Sequence, residues 1–152
     1  MGMTPLTTTQ HHAIDGLVDA HRLSAVLSDV HRATTFIRNA QRALADVPNL
    51  TEAQNRYNLS YDACHDVGEA LLAAYGYRTA NGRGQHEAVG QYLRAVLTAP
   101  PGSTAAKRFD QLRRGRNQQR YTASIVGEAD ADVAEKTARE LIAAALESGI
   151  EP

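Results

Sequence analysis

The chain has 152 residues, with 16 Lys and Arg against 17 Asp and Glu and a formal net charge of −1, so any strong field must come from a local concentration of charge. One cysteine, Cys64, excludes an internal disulfide and fits a reducing cytoplasm; no run approaches the roughly 18 apolar residues of a membrane span. The start Met1-Gly2-Met3-Thr4-Pro5-Leu6 lacks the basic opening and apolar middle of a secretion signal, so a cytoplasmic protein without a membrane partner is expected.

This length predicts one domain rather than two. Alanine occurs 26 times, with only two Phe and no Trp, which favours close-packed helices over a sheet sandwich. The expected class is all-α.

Residues 1–12 are polar and Thr-rich, and are expected to form a flexible terminus ahead of a single helical domain over 13–150. His11 and His12 adjoin there, but no further ligand stands at helical spacing, so no metal site is expected. Ile14, Leu17, Val18, His21 and Ala25 trace a first helical stripe. After a fresh start capped by Ser24 or Ser28, Val30, Ala33, Ile37, Ala40, Leu44 and Val47 recur at three- and four-residue steps, and Pro48 stops them.

A further helix opens near Thr51-Glu52-Ala53-Gln54 and carries Tyr57, Tyr61, Cys64, Gly68, Leu71 and Tyr75 on one face. Gly68 would permit a close helix crossing, and Cys64 reads as a small buried thiol. Asp62, Asp66 and Glu69 fall on other faces and read as solvated carboxylates, while His65 reads as a polar contact inside the fold. Gly76 and the stretch Thr79-Ala80-Asn81-Gly82-Arg83-Gly84 signal a stop and a loop. A short helix from His86 follows, with Val89, Tyr92, Leu93, Val96 and Leu97 inward, ended by Pro100-Pro101-Gly102.

Ser103 or Thr104 is expected to cap the next helix, which concentrates the charge. Over residues 107–121, six cations (Lys107, Arg108, Arg113, Arg114, Arg116, Arg120) face one acid, Asp110, for a net +5. With Arg116 at zero on a helical wheel, Arg120 falls near about 40°, Arg113 near 60°, Asn117 near 100° and Tyr121 near 140°. Guanidinium forks match phosphate oxygens, an amide holds a phosphate or a base edge, and a phenol ring stacks on an unpaired base. Arginine faces are most often merely solvated, and 14 Arg against 2 Lys makes such clusters commoner by chance.

The last helix begins at Asp130 or a nearby acid and turns Val133, Thr137, Leu141, Ala144 and Ala145 or Leu146 inward. Between Glu128 and Glu147 it holds six acids and two bases, a net −4. It could lie beside the basic helix and neutralise it, or face away and leave the arginines free.

Arg116-Asn117 followed by Tyr121 resembles the motif of the HEPN domain family, in which an Arg, often followed by Asn, precedes a His by four to six residues. Tyr121 stands where that His is expected. The resemblance extends to Tyr57, Tyr61 and the phrase Leu71-Leu72…Tyr75-Gly76-Tyr77-Arg78, then His86, then Leu112-Arg113-Arg114-Gly115-Arg116-Asn117, about four fifths of the chain. It implies an antiparallel four- to five-helix bundle, dimerised so that two basic helices face one cleft, with RNA as ligand and no cofactor. It also implies a toxin or defence role, often beside a nucleotidyltransferase-like antitoxin that in some systems modifies a toxin tyrosine, for which Tyr121 is the candidate acceptor.

HEPN ribonucleases cut RNA without metal, the 2′-hydroxyl attacking the adjacent phosphate with Arg and His assisting. On that footing Arg116, Asn117 and Tyr121 are the candidate catalytic residues, and Arg113, Arg114, Arg120 and Lys107 the candidate RNA contacts. An unperturbed phenol of pKa about 10 is a poor base at neutral pH, so a catalytically inactive HEPN module that binds RNA or a protein partner is the alternative. A structural bundle whose arginines pair with the acidic helix is a third reading. A DNA-reading helix-turn-helix is disfavoured by the long Pro100-Pro101-Gly102 break.

Overall fold

The computed structural model describes residues 2–152: six α-helices, one turn of 3-10 helix and a two-stranded ribbon. The elements run α1 (Thr8–Asp19), β1 (Leu23–Ala25), α2 (Val30–Asp46), α3 (Ala53–Tyr75), β2 (Tyr77–Thr79), α4 (Gln85–Val96), α5 (Gly102–Thr122) and α6 (Glu128–Glu147), with the 3-10 turn at Val47–Asn49. The all-α expectation holds apart from the ribbon, and six helices stand where four or five were expected.

α3 is the axis. Twelve of its 23 residues are buried, including Tyr57, Tyr61, Cys64, Gly68 and Leu71 from the stripe read in the sequence. α2 and α6 lie along it, α4 crosses it, and α5 packs on α4 and α6. At Gly68 the crossing is so close that a Cβ would run into Val89 Cγ1 of α4. Deep burial pushes the Cys64 thiol well above its usual range, which keeps it protonated and inert.

α3 ends where expected, at Gly76, whose φ of 85° suits glycine; its N–H donates to Ala73 O and Leu72 O. The chain then turns into β2, which pairs antiparallel with β1 in the register Leu23 with Thr79, Ser24 with Arg78 and Ala25 with Tyr77. The stripe expected to reach His21 and Ala25 therefore breaks early. His21 takes a left-handed φ of 58°, its N–H and that of Arg22 bond back to Val18 O and Leu17 O, and Ala25 is a strand residue.

The N-terminal stretch is helical from Thr8. α1 starts at Thr8, within the stretch expected to be flexible, because Thr7 and Gln10 close a capping box: Gln10 N donates to Thr7 Oγ1 at 3.1 Å and Thr7 N to Gln10 Oε1 at 2.7 Å. Gln10 Nε2 also donates to Val96 O at 2.7 Å, and Thr4 is held by Ser148 O and the Tyr75 hydroxyl.

Several boundaries shift by a residue or two. Asp29, not Ser28, caps α2 through Arg32 N, and α2 ends at Asp46, so Pro48 falls in the 3-10 turn. α5 begins at Gly102, under Ala144, with no side-chain cap from Ser103 or Thr104. α6 begins at Glu128, with Asp130 accepting the Gly127 N–H at 3.1 Å. Thr137, Leu141 and Ala145 are buried as expected, whereas Val133 is exposed.

Candidate functional site

α5 approaches α3 at one short stretch. The Tyr57 hydroxyl donates to Leu112 O at 2.7 Å, and Gly115 leaves room for that hydroxyl, since a Cβ there would sit 3.2 Å from it. From this point the side chains of α5 that face α4 and the loop before it bound a cleft of about 680 Å³. Its walls carry Arg113, Arg116, Asn117, Arg120 and Tyr121 from α5, Arg83 and His86 from the loop and first turn of α4, and Tyr61 from α3. Lys107 and Arg114, expected as RNA contacts, do not line it.

The arginines are held to different degrees. Arg113 is mostly buried and pairs with Asp110 at 3.1 Å, and Arg114 shares the same carboxylate at 2.9 Å from an exposed position. Two expected RNA contacts are thus engaged by an acid three and four residues earlier. Arg120 is exposed and makes no ion pair among the described residues. Arg116 is the most organised: its guanidinium lies 4.6 Å from the Tyr61 ring centroid and 3.7 Å from Asp62 Oδ1. A cation over an aromatic face contributes about 0.5–2 kcal/mol and, as important here, fixes the plane of the fork.

Tyr61 is the floor of the cleft. Phe109 packs against it at 5.2 Å, and its hydroxyl lies 3.0 Å from His86 Nδ1, with the two rings within 5° of parallel. His65, one turn along α3, brings a second imidazole to 4.3 Å from His86. Burial raises the Tyr61 phenol to about 12 despite Arg116, so it stays protonated. Burial and then Arg116 lower His86, and burial followed by His86 and Arg116 lowers His65 to about 4, so both imidazoles are neutral at pH 7.

Tyr121 stands apart. It is 91% exposed and makes no hydrogen bond among the described residues. Asn117 is exposed beside it. The triad expected from the motif therefore lines one wall, but only Arg116 is oriented by the protein. His65 and Tyr61 were read from the sequence as fold residues, and their spacing of four along α3 was the signal that both reach the same place.

The acidic helix lies beside α5 but neutralises little of it: among the described residues Arg108 is the one α5 cation that bridges to α6, through Glu140, while Glu128 and Asp132 are taken by Arg56 of α3. Among the described residues no three His, Cys, Asp or Glu side chains gather as a metal-ligand set, and no helix is long and apolar enough to cross a membrane. Comparison with family models, with curated proteins and with solved structures gives no match.

Proposed function

We propose that this chain is a HEPN-type protein of the toxin or defence kind that engages single-stranded RNA in the cleft beside α5, with Arg116 as the phosphate clamp. The observation that carries the reading is spatial: Tyr61, then His86, then Arg116-Asn117 and Tyr121, three short phrases far apart in sequence, converge on one cleft. Arg83, Arg113, Arg116 and Arg120 line it beside Glu87, which lies 3.8 Å from Arg22, while Asp110 and Asp62 offset Arg113 and Arg116 in part and Arg120 is left without an ion pair among the described residues. A polyanion entering there meets forks set to take phosphate oxygens, an amide and a stackable ring.

Arg116→Ala tests it. In EDTA, a fluorescent single-stranded RNA should bind the purified protein with log K falling as log salt rises. Loss of Arg116 should weaken binding by about 10- to 100-fold, the worth of one charge-assisted contact. Cleavage, where present, should leave 2′,3′-cyclic phosphate ends and vanish in the same variant. RNA that fails to bind at low salt would rule the reading out.

The exposure of Tyr121 favours a second reading, in which the module binds RNA without cutting it. A phenol that nothing orients suits stacking better than proton transfer. RNA bound but intact at high protein excess would select it.

A further inference from the structure

We infer that His86, which lies outside the Arg116-Asn117…Tyr121 motif, is the proton-transfer residue of this cleft and acts on the 2′-hydroxyl of RNA held by Arg116; the inference rests on the RNA reading above. Geometry carries it. His86 lines the same cleft as Arg116, and its Nδ1 is fixed at 3.0 Å from the Tyr61 hydroxyl, which leaves Nε2 with no partner among the described residues. One ring nitrogen anchored by a buried group and the other open to a ligand is the arrangement that a histidine acid–base residue needs. Tyr61 is itself fixed by Phe109 and Arg116, so the imidazole is oriented through two layers of packed side chains. Tyr121, by contrast, is almost fully exposed and makes no hydrogen bond among the described residues.

The working tautomer has Nδ1–H donating to the Tyr61 oxygen and a lone pair on Nε2. Nε2 takes the 2′-hydroxyl proton as that oxygen forms its bond to the adjacent phosphorus. The bond from phosphorus to the 5′ oxygen breaks, and the imidazolium returns the same proton to that departing oxygen. The products are a 2′,3′-cyclic phosphate and a 5′-hydroxyl, with no net proton, oxidant or metal required. Arg116 and Arg120 face the non-bridging oxygens, where charge grows in the transition state.

The groups facing His86 are Arg113, Arg116 and Arg120 of α5, Tyr61, Asp62 and His65 of α3, and Arg83 and Glu87 in its own segment. The arginines and burial favour the neutral base, and Asp62 opposes them. The rate should therefore be flat near neutrality and fall only as pH drops below the ordinary imidazole value of about 6.5.

The experiment follows binding by anisotropy and cleavage by gel with one labelled single-stranded RNA in EDTA, using the full chain. His86→Gln should bind within about two-fold of the parent yet cleave about 100-fold more slowly or worse. Added imidazole should restore part of the activity to His86→Ala, which a merely structural role would not allow. Tyr121→Phe, which keeps the ring and loses only the hydroxyl, should still cleave and keep the same acid limb of the pH profile. Parent-like cleavage by His86→Gln, or loss of cleavage in Tyr121→Phe instead, overturns the inference and leaves the RNA reading standing. RNA bound but never cut by the parent protein does the same, whereas RNA that does not bind at all removes both.

Discussion

Asp66 and His65 are neighbours on α3, and burial drives them in opposite senses. The Asp66 carboxyl is raised to about 6 by burial and then by Asp62 and Glu69. Its ionised form therefore works against the fold above pH 6, and the burden is relieved as pH falls through 6 and gone below the ordinary carboxyl value. His65, lowered to about 4, costs stability progressively as pH falls from about 6.5 to 4, because the fold holds the neutral ring. Asp66→Asn should raise the melting temperature at pH 8, by the equivalent of about 1 kcal/mol once partial exposure is allowed for, with the gain vanishing below about pH 4. Thermal melts of both proteins across that range check the sign. His65 was read as a residue inside the fold, whereas Asp66 was misjudged as solvated, because a helical wheel gives direction but not how far a neighbouring helix reaches over. The Asp110 contacts of Arg113 and Arg114 were there to be read, since spacings of three and four on a helix place acid beside base.

Elements were legible in proportion to their length. α3 announced itself because its apolar spacing persists for more than five turns, and Gly76 ended it as glycine does. The strands were invisible: three residues each, they carry no alternation, and their pairing spans more than fifty residues of chain. α1 was placed too late because a Thr-rich stretch looked loose, although Thr7 and Gln10 stand at capping-box spacing. Two helical glycines now separate propensity from packing. Gly16→Ala in α1 meets nothing within 4 Å and should stabilise by up to about 1 kcal/mol in urea denaturation. Gly68→Ala gains the same propensity, but its methyl is driven into Val89, where overpacking of about 1–3 kcal/mol wins, so the net change should be a loss.

At the scale of the whole molecule, the question left open by the sequence was where the acidic helix would point. Charge counts cannot answer it, since both arrangements satisfy the same composition; packing does, by laying α6 against α3 and α5 while the cleft opens on the α4 side of α5. The Arg108–Glu140 pair bridges α5 and α6, four fifths buried, with Arg108 Nε already lacking a partner. Glu140→Gln should therefore lower stability by about 1–2 kcal/mol, since it strands a mostly buried guanidinium. It should leave RNA affinity unchanged, and a melt paired with an anisotropy titration measures both.

α5 buries no apolar side chain after Leu112, so its last ten residues, about 15 Å of helix, lean on the body chiefly through Arg113, Gly115 beside Tyr57 and Arg116 on Tyr61. Unwinding that length would uncover little apolar surface and so meets little resistance. Asn117, Arg120 and Tyr121 thus ride on a lightly held length of helix, while Arg116, Tyr61 and His86 sit where it is moored. A strand laid across the cleft would find its anchor already set and would itself complete the tightening of the outer turns.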